Sequence, residues 1–204
     1  MKIRAYITAY NRPKMLASVI DTLHANGIVP KVYEDGVTHP FRGKEGYWQT
    51  WDEILKDAEK HEADLYLFIQ DDVLNVDIDK IKDIHNQLNS QPYVHHIIND
   101  GRHECWLKFQ KQKPIDGMEK VGFTDCIFFC NRGALEVTKW RIKQPPLSRW
   151  KHPGISSGVG QQLTTIFTNY KISMYKPVES LGYHGDHESE MHPEERKKNP
   201  LTSK

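Results

Sequence analysis

Residues 64–73 read Asp-Leu-Tyr-Leu-Phe-Ile-Gln-Asp-Asp-Val. Residues 65–69 are apolar or aromatic, and a run of this length is typical of a strand buried on both faces of a sheet. Asp71 and Asp72 follow at its exit, where two adjacent carboxylates repel one another and resist desolvation. Mg²⁺ or Mn²⁺ would remove that cost, at the strand end where open α/β sheets bind ligands. The stretch indicates either a divalent-metal site or two acids that cap the following turn or helix.

The chain before this stretch predicts a β-α-β unit. Residues 2–8 alternate as a strand, and a second short strand covers residues 29–34. Asn11 and Pro13 suit the start of a helix between them. Its apolar stripe has helical spacing and consists of Met15, Leu16, Val19, Ile20 and Leu23. Such a unit has parallel strands joined by a right-handed crossover, so both strands end at the same edge of the sheet.

Polar residues follow both strands at that edge. We expect a nucleotide to contact Thr8, Tyr10 and Arg12 after the first strand, together with Asp35 and Lys44 after the second. Asp35 could accept a hydrogen bond from a ribose hydroxyl or a base imino group. The other interpretation is that residues 35–36, Asp-Gly, form a plain turn.

The rest of the chain continues this alternation and then becomes irregular. Further strands are predicted at residues 93–98, 105–109, 121–130 and 171–175, and further helices at 46–61, from 77, at 131–140 and after 158. Trp48 and Trp51 are expected in the core, and His95 and His96 on opposite faces of their strand. These elements predict an α/β fold, a Rossmann-type three-layer sandwich with a mixed, mainly parallel central sheet.

Length and composition limit the alternatives. The 204 residues suit one domain with a tail, and the net charge of +1 does not by itself indicate a polyanionic partner. We divide the chain into a nucleotide-binding half (1–98), an acceptor half (99–181) and a tail (182–204). Three cysteines without a CxxC spacing predict reduced thiols in a cytoplasmic protein, and no apolar run predicts a membrane span.

Residues 139–152 combine five cations with two tryptophans and no acid. The residues that we expect to contact an acceptor here are Lys139, Trp140, Arg141, Lys143, Arg149 and Trp150. Trp106, in a second basic stretch at residues 102–113, is expected to join them. Cations that bind phosphates beside aromatic rings that stack on bases are typical of nucleic-acid binding. The alternative is a solvated loop beside a saccharide acceptor.

Together these features resemble the nucleotide-sugar glycosyltransferases of the GT-A fold, above all family 2 and its small relatives. The resemblance rests on residues 8–13 (Thr-Ala-Tyr-Asn-Arg-Pro), on Asp-Gly at 35–36 and on the paired acids. It implies that Gln70-Asp71-Asp72 stands at the place of the DxD motif, which holds Mn²⁺ or Mg²⁺ against the donor diphosphate. Gln70 departs from that motif. Asp72 then becomes the metal ligand and Asp71 a contact to sugar or ribose.

The tail extends the resemblance. Residues 181–189 read Leu-Gly-Tyr-His-Gly-Asp-His-Glu-Ser and are similar to a C-terminal histidine motif of GT-A enzymes. The resemblance implies that His184 completes the metal site, with His187 as the alternative, and that Arg196 reaches the diphosphate. The other interpretation is a solvent-exposed, histidine-rich tail.

The reaction implied by the resemblance leaves a gap at the catalytic base. Inverting members of the family carry an acid near the start of a late helix, but residues 156–162, Ser-Ser-Gly-Val-Gly-Gln-Gln, contain none. Asp125 is the nearest substitute. A retaining mechanism, in which the leaving phosphate helps to accept the proton, is the alternative.

The predicted activity is transfer of a sugar, of hexosyl type, from a nucleoside diphosphate sugar, with UDP preferred, to an acceptor hydroxyl. Compact phage-type relatives modify hydroxymethylated bases in DNA, and this chain would suit that role in a host cytoplasm. The alternatives are a saccharide acceptor, a metal-dependent phosphoesterase or a non-catalytic nucleic-acid-binding module, which would leave Asp71 and Asp72 unexplained.

Overall fold

The computed structural model describes residues 1–99, 116–146, 148 and 157–185. The strands within these ranges are β1 (Ile3–Ala9), β2 (Lys31–Glu34), β3 (Leu65–Gln70), β4 (Val73–Leu74), β5 (Tyr93–His96), β6 (Met118–Val121), β7 (Phe128–Cys130), β8 (Ser173–Pro177) and β9 (Tyr183–His184). The helices are α1 (Pro13–Ala25), α2 (Gly43–Lys60), α3 (Ile78–Leu88), α4 (Arg132–Glu136) and α5 (Val159–Asn169). Among the described helices, none has the length and apolar character needed to cross a membrane.

Seven strands form one twisted layer in the order β2-β1-β3-β7-β5-β8-β6. β1 pairs in parallel with both β2 and β3, and β5 pairs in parallel with β8. β7 and β6 run against their neighbours, so five of the seven strands share one direction. This confirms the predicted Rossmann-type α/β fold with a mixed, mainly parallel central sheet.

The central strand β3 positions the acid pair. All but the last of its six residues are buried, and the core extends over both faces of the sheet. Thr8 of β1 lies opposite Gln70 of β3 and Tyr33 of β2. The three strands therefore end together, and the residues after them are brought to one edge of the sheet.

The predictions for residues 121–130 and for the start of α1 are wrong. Residues 121–130 were expected to be one strand, but β6 pairs with β8 at the margin of the sheet whereas β7 lies between β3 and β5. The residues between β6 and β7 cross the sheet. The predicted strand is therefore divided between two strands that are not neighbours. Asn11 was expected to cap α1, but Arg12 is the N-cap residue and makes no side-chain cap bond, while Asn11 has φ = 53°.

Buried aromatic residues and histidines lie as expected. Trp51 is in the core, with its ring 5.1 Å from that of Phe68, and Trp48 packs against the same cluster. His95 stacks on Phe129 at 4.9 Å, whereas His96 Nε2 lies 3.0 Å from the carbonyl oxygen of Phe123. The two histidines therefore contact different neighbours and cannot chelate one ion together.

Candidate functional site

An open pocket lies at the carboxyl ends of β1, β2 and β3. Its empty space, including the open mouth, is about 570 Å³. The residues that line it are Thr8, Ala9, Tyr10, Arg12, Tyr33, Asp35, Gly43, Tyr47, Thr50, Gln70, Asp71 and Asp72. Of the residues predicted to bind the nucleotide sugar, five line this pocket together with the metal-site candidate Asp72.

Asp71 is held by the loop after β1. Its Oδ2 accepts a hydrogen bond from the backbone N–H of Tyr10 at 2.8 Å, and its Oδ1 accepts one from Arg12 Nη1 at 3.1 Å. Burial raises the pKa of Asp71 to about 6, although the bond from Tyr10 and the Arg12 charge oppose this and Asp72 adds to it. Asp71 thereby joins the loop to the end of β3.

Asp72 faces two different partners with its two oxygens. Oδ2 lies 3.1 Å from Nη1 of Arg12, and Oδ1 lies 3.4 Å from Nδ1 of His184. The same guanidinium nitrogen also contacts Asp71, so one arginine bridges both acids. Asp72 is almost completely buried, and its attraction to the Arg12 guanidinium is strong because little solvent screens it.

A small two-stranded ribbon brings His184 to this place. β4 follows the acid pair directly and pairs with β9, with Val73 opposite His184. The backbone N–H of Gly185 donates to the carbonyl oxygen of Asp72 at 2.8 Å. An added Cβ on Gly185 would meet the terminal methyl group of Met15, so a larger residue there would require that flexible side chain to move. The backbone thus fixes His184 against Asp72, while His187 and Arg196 lie outside the described residues.

Asp72 and His184 are the side chains at this place that could contribute ligands to a divalent ion. Within the described residues, no group of three or more His, Cys, Asp or Glu side chains could hold a metal ion by itself. Asp72 and His184 offer one carboxylate and one imidazole at a separation of 3.4 Å. Mg²⁺ at phosphate sites commonly takes only one or two protein ligands, and Mn²⁺ accepts imidazole.

Asp35 caps the helix that follows the pocket. Its Oδ1 accepts from the backbone N–H of Arg42 at 2.6 Å and its Oδ2 accepts from that of Gly43 at 2.7 Å. A carboxylate at a helix N-terminus is favourable because of the unpaired N–H groups and the helix dipole. Asp35 lines the pocket, so it contributes both to the turn and to the site.

Residues of α2 complete the pocket wall and were not found from the sequence. The Tyr47 hydroxyl lies 3.1 Å from Thr8 Oγ1 and accepts a hydrogen bond of 3.4 Å from Gln70 Nε2. Burial raises the pKa of Tyr47, so this phenol stays protonated. Thr50, one turn further, also lines the pocket. Both residues lie in the first turns of α2, directly after the loop that ends β2, and this position could have identified them in the sequence. Lys44, predicted to bind the nucleotide, lies in the first turn of α2 but not among the lining residues.

Asp125 lies beside the start of α5. Its Oδ1 accepts from the backbone N–H of Cys126 at 2.7 Å, and an added Cβ on Gly160 of α5 would lie 3.4 Å from Asp125 Cα. Burial raises the pKa of the Cys126 thiol, and Asp125 raises it further, while Gly160 and Tyr47 act against this. Asp125 is therefore one residue away from a side chain that interacts with the pocket residue Tyr47.

The predicted acceptor residues that the structure describes, Lys139, Trp140, Arg141 and Lys143, are not among those that line the pocket. The ring of Trp140 is buried in the core, 6.4 Å from that of Tyr66, with the Arg132 guanidinium 4.9 Å from its centre. Tyr66 is near the start of β3, about 16 Å along the strand from Asp71 at ~3.3 Å per residue. Trp140 is thus a core residue, not an exposed stacking surface, because its large apolar ring is covered.

The neighbouring cations of that stretch have their own roles. Arg141 Nε donates to Asp52 Oδ1 at 2.8 Å, and the backbone of Lys143 exchanges two hydrogen bonds with the amide of Gln162. Lys139 has φ = 55°, and α4 ends at Glu136 rather than continuing to residue 140. The remaining predicted acceptor residues lie outside the described ranges; they are Trp106, Arg149 and Trp150.

Comparison with known proteins supports the fold. No protein-family profile matches the sequence, and no curated protein matches it. Ten chains of solved structures match. One of them is the crystal structure of residues 1–349 of S. aureus TarS, a glycosyltransferase with a GT-A-like fold, at a TM-score of 0.52 and 12% sequence identity. The match covers 87% of this chain and 60% of the TarS chain. At this identity the likeness shows a shared GT-A-like fold.

Proposed function

We propose that this protein is a glycosyltransferase that takes its sugar from a nucleoside diphosphate sugar, with UDP as the preferred nucleotide. The observation that carries the proposal is the meeting of Asp71, Asp72 and Arg12 in one pocket at the carboxyl ends of parallel strands, with His184 in contact with Asp72. In open α/β sheets this edge is where nucleotides bind. The GT-A-like fold shared with TarS supports the same reading.

The residues divide the work on the donor. Breaking the bond between the anomeric carbon and the diphosphate places negative charge on the leaving group. Asp72 and His184 would hold Mg²⁺ or Mn²⁺, which when bound stabilises that charge. Arg12 holds Asp72 through Oδ2, so it orients the carboxylate whose other oxygen faces His184. Asp71 fixes the loop through Tyr10 and Arg12, which makes it a positioning residue.

For the acceptor side, Asp125 is our proposed general base. It is partly exposed and lies beside the start of α5, and its neighbour Cys126 interacts with Tyr47 of the pocket wall. A carboxylate there could take the proton of an attacking hydroxyl. Replacement of Asp125 by Asn would then lower turnover and leave donor binding unchanged, whereas a retaining mechanism would tolerate the change.

A hydroxymethylated base in DNA is the acceptor that the basic stretch suggests. That proposal now depends on Lys139, Lys143 and residues outside the described ranges, because Trp140 is in the core and Arg141 is paired with Asp52. A gel-shift assay with duplex DNA at low salt tests it. We expect Lys139→Ala with Lys143→Ala to weaken the shift, and a wild-type protein that shifts no DNA would favour a saccharide acceptor.

The decisive assay for the donor is release of nucleoside diphosphate. The protein is incubated with Mn²⁺ and a panel of nucleotide sugars, and the released diphosphate is quantified. Asp72→Asn should abolish the metal-dependent release, whereas the matched change Asp79→Asn, on the exposed face of α3, should not. Binding of Mn²⁺ in the presence of UDP, measured by calorimetry, should be lost in His184→Ala and kept in His24→Ala. No release from any sugar nucleotide together with no UDP binding would refute the proposal.

A further inference from the structure

Phe41 is an exposed aromatic residue at the edge of the donor pocket. It is 67% exposed, whereas Phe68, Phe128, Phe129 and Phe167 are buried. It projects from the loop between β2 and α2, where Val37 is also exposed. Leaving a phenylalanine ring in water forgoes the stabilisation that its burial would give. An exposed ring of this kind beside a pocket is therefore a candidate contact for a ligand.

The loop that carries Phe41 is held in place by hydrogen bonds at both ends. The backbone N–H of Gly36 donates to the carbonyl oxygen of His39, and those of Thr38 and His39 donate to that of Glu34. At the other end, Asp35 accepts from the backbone N–H groups of residues 42 and 43. His39 also stacks on Tyr33 at 4.5 Å. Exposure of Phe41 is thus a property of an ordered loop and not of fraying.

The ring of Phe41 stands over two glycines that border the pocket. A Cβ added to Gly36 would lie 3.7 Å from Cδ2 of Phe41, and one added to Gly43 would lie 3.5 Å from its Cζ. Both glycines have positive φ, 79° and 55°, which side-chain-bearing residues adopt at a cost. Gly43 lines the pocket itself. Phe41 therefore forms part of its rim.

Tyr10 connects this rim to the acid pair. Its backbone N–H donates to Asp71, while its ring lies 5.8 Å from the ring of Phe41 at an interplanar angle of 42°. A ligand that reached from Asp71 and Asp72 past Tyr10 to Phe41 would place a charged end at the acids and a flat apolar end at the ring of Phe41. A nucleoside diphosphate has this construction, with a diphosphate at one end and a base at the other.

We propose that Phe41, with Tyr10 beside it, is the platform on which the base of the donor nucleotide stacks; this rests on the function proposed above. Both oxygens of Asp35 already accept backbone hydrogen bonds, which weakens its capacity to select a base by hydrogen bonding. Stacking on an aromatic ring depends little on base identity, since every base has a π-face. Phe41 thus contributes affinity for the nucleotide through its base and adds little to the choice between one base and another.

The test compares UDP, GDP and inorganic pyrophosphate as ligands, each titrated with Mn²⁺ present into the wild-type protein and three variants. Phe41→Ala removes the platform, Phe41→Trp restores an aromatic face, and Val37→Ala removes exposed apolar surface from the same loop. We expect Phe41→Ala to weaken UDP and GDP binding about tenfold or more. Phe41→Trp restores it, Val37→Ala leaves it unchanged, and pyrophosphate, which has no base, binds equally to all four proteins.

Each contrary result has a distinct meaning. UDP binding by Phe41→Ala as tight as that of the wild type would refute the stacking platform while leaving the glycosyltransferase proposal intact. An equal loss of pyrophosphate and UDP affinity in Phe41→Ala would also refute it, because the change would then act on the diphosphate end. A wild-type protein that binds pyrophosphate but no nucleotide would refute the proposed function itself.

Discussion

Two clusters of carboxylates and cations, one beside the first half of β1 and one after the ends of β1 and β3, differ in how their charges are balanced. In the first, Asp57 on α2 accepts hydrogen bonds from Arg4 Nη2 and the Tyr6 hydroxyl, both at 2.9 Å, and from Lys31 Nζ. In the second, Asp71 and Asp72 share the single nitrogen Nη1 of Arg12. The first cluster joins α2 to β1 and β2, and the second lines the pocket.

The pKa values of the two clusters move in opposite directions. Burial by itself would raise the pKa of Asp57, but the hydrogen bonds from Lys31, Arg4 and Tyr6 outweigh it and bring the value to about 2. At Asp71 the burial dominates and the pKa rises to about 6. A carboxylate with a complete set of donors stabilises the fold, whereas one that stays costly to ionise marks a place where a ligand can supply the missing charge.

The largest expected effect comes from Asp72→Asn. The substitution keeps the size of the side chain and removes the charge that faces both Arg12 and His184. We expect nucleoside diphosphate release to fall at least ~100-fold, as for other residues that stabilise a leaving group. Far-ultraviolet circular dichroism should be unchanged. Turnover within a few-fold of the wild type would remove Asp72 from the catalytic machinery.

Asp57→Asn should have the converse result. It leaves Arg4 and Lys31 without their anion, so we expect the free energy of unfolding to fall by about 2 kcal/mol, the equivalent of the lowered pKa. Donor binding and turnover at 25 °C should stay at wild-type levels. Urea unfolding followed by circular dichroism measures the change, and a variant as stable as the wild type would show that this cluster is not a structural one.

The difference in unfolding free energy between the wild type and Asp57→Asn should also depend on pH. The folded-state pKa of Asp57, about 2, lies below its unfolded value of 3.8. Its stabilisation is therefore fully present above the unfolded value and is lost as the pH falls through the folded value. The gap between the unfolding curves of wild type and Asp57→Asn should be constant from about pH 7 to about pH 5 and close below that. A gap that widens in acid would contradict the assignment.

Asp71→Asn should cost less stability than Asp57→Asn. The variant loses hydrogen bonds to Tyr10 and Arg12, but it also removes a buried charge whose ionisation is unfavourable. These effects are of similar size, so we expect the free energy of unfolding at about pH 8 to stay within about 1 kcal/mol of the wild type. A loss as large as that in Asp57→Asn would show that the two clusters have the same role.

Arg141→Ala should have the smallest effect. Arg141 pairs with Asp52, but 60% of its side chain is exposed, and solvent screening limits such pairs to less than about 1 kcal/mol. We expect a change in unfolding free energy below that value and unchanged affinity for UDP. A marked loss of UDP affinity would instead place Arg141 in the donor site.

Sequence reasoning succeeded where a pattern is local and continuous. The apolar run of β3, the β-α-β unit formed by β1, α1 and β2, and the start of a helix near residue 131 all follow from neighbouring residues. The candidate site was predictable in part, since parallel strand ends meet at one edge of a sheet. Residues 121–130 were wrongly predicted as one strand, because an apolar pattern does not specify which strand each part pairs with.

The sequence by itself determined the alternation of strands and helices, the buried strand β3 and the paired acids at its end, because each depends on residues adjacent in the chain. Only the tertiary structure decided which charges meet. Arg12 and Asp71 are 59 positions apart, and His184 reaches Asp72 through the β4–β9 pairing. Trp140 entered the core while Phe41 remained exposed at the pocket rim. Burial of a side chain is set by the sheet order and helix packing around it, which composition alone does not specify.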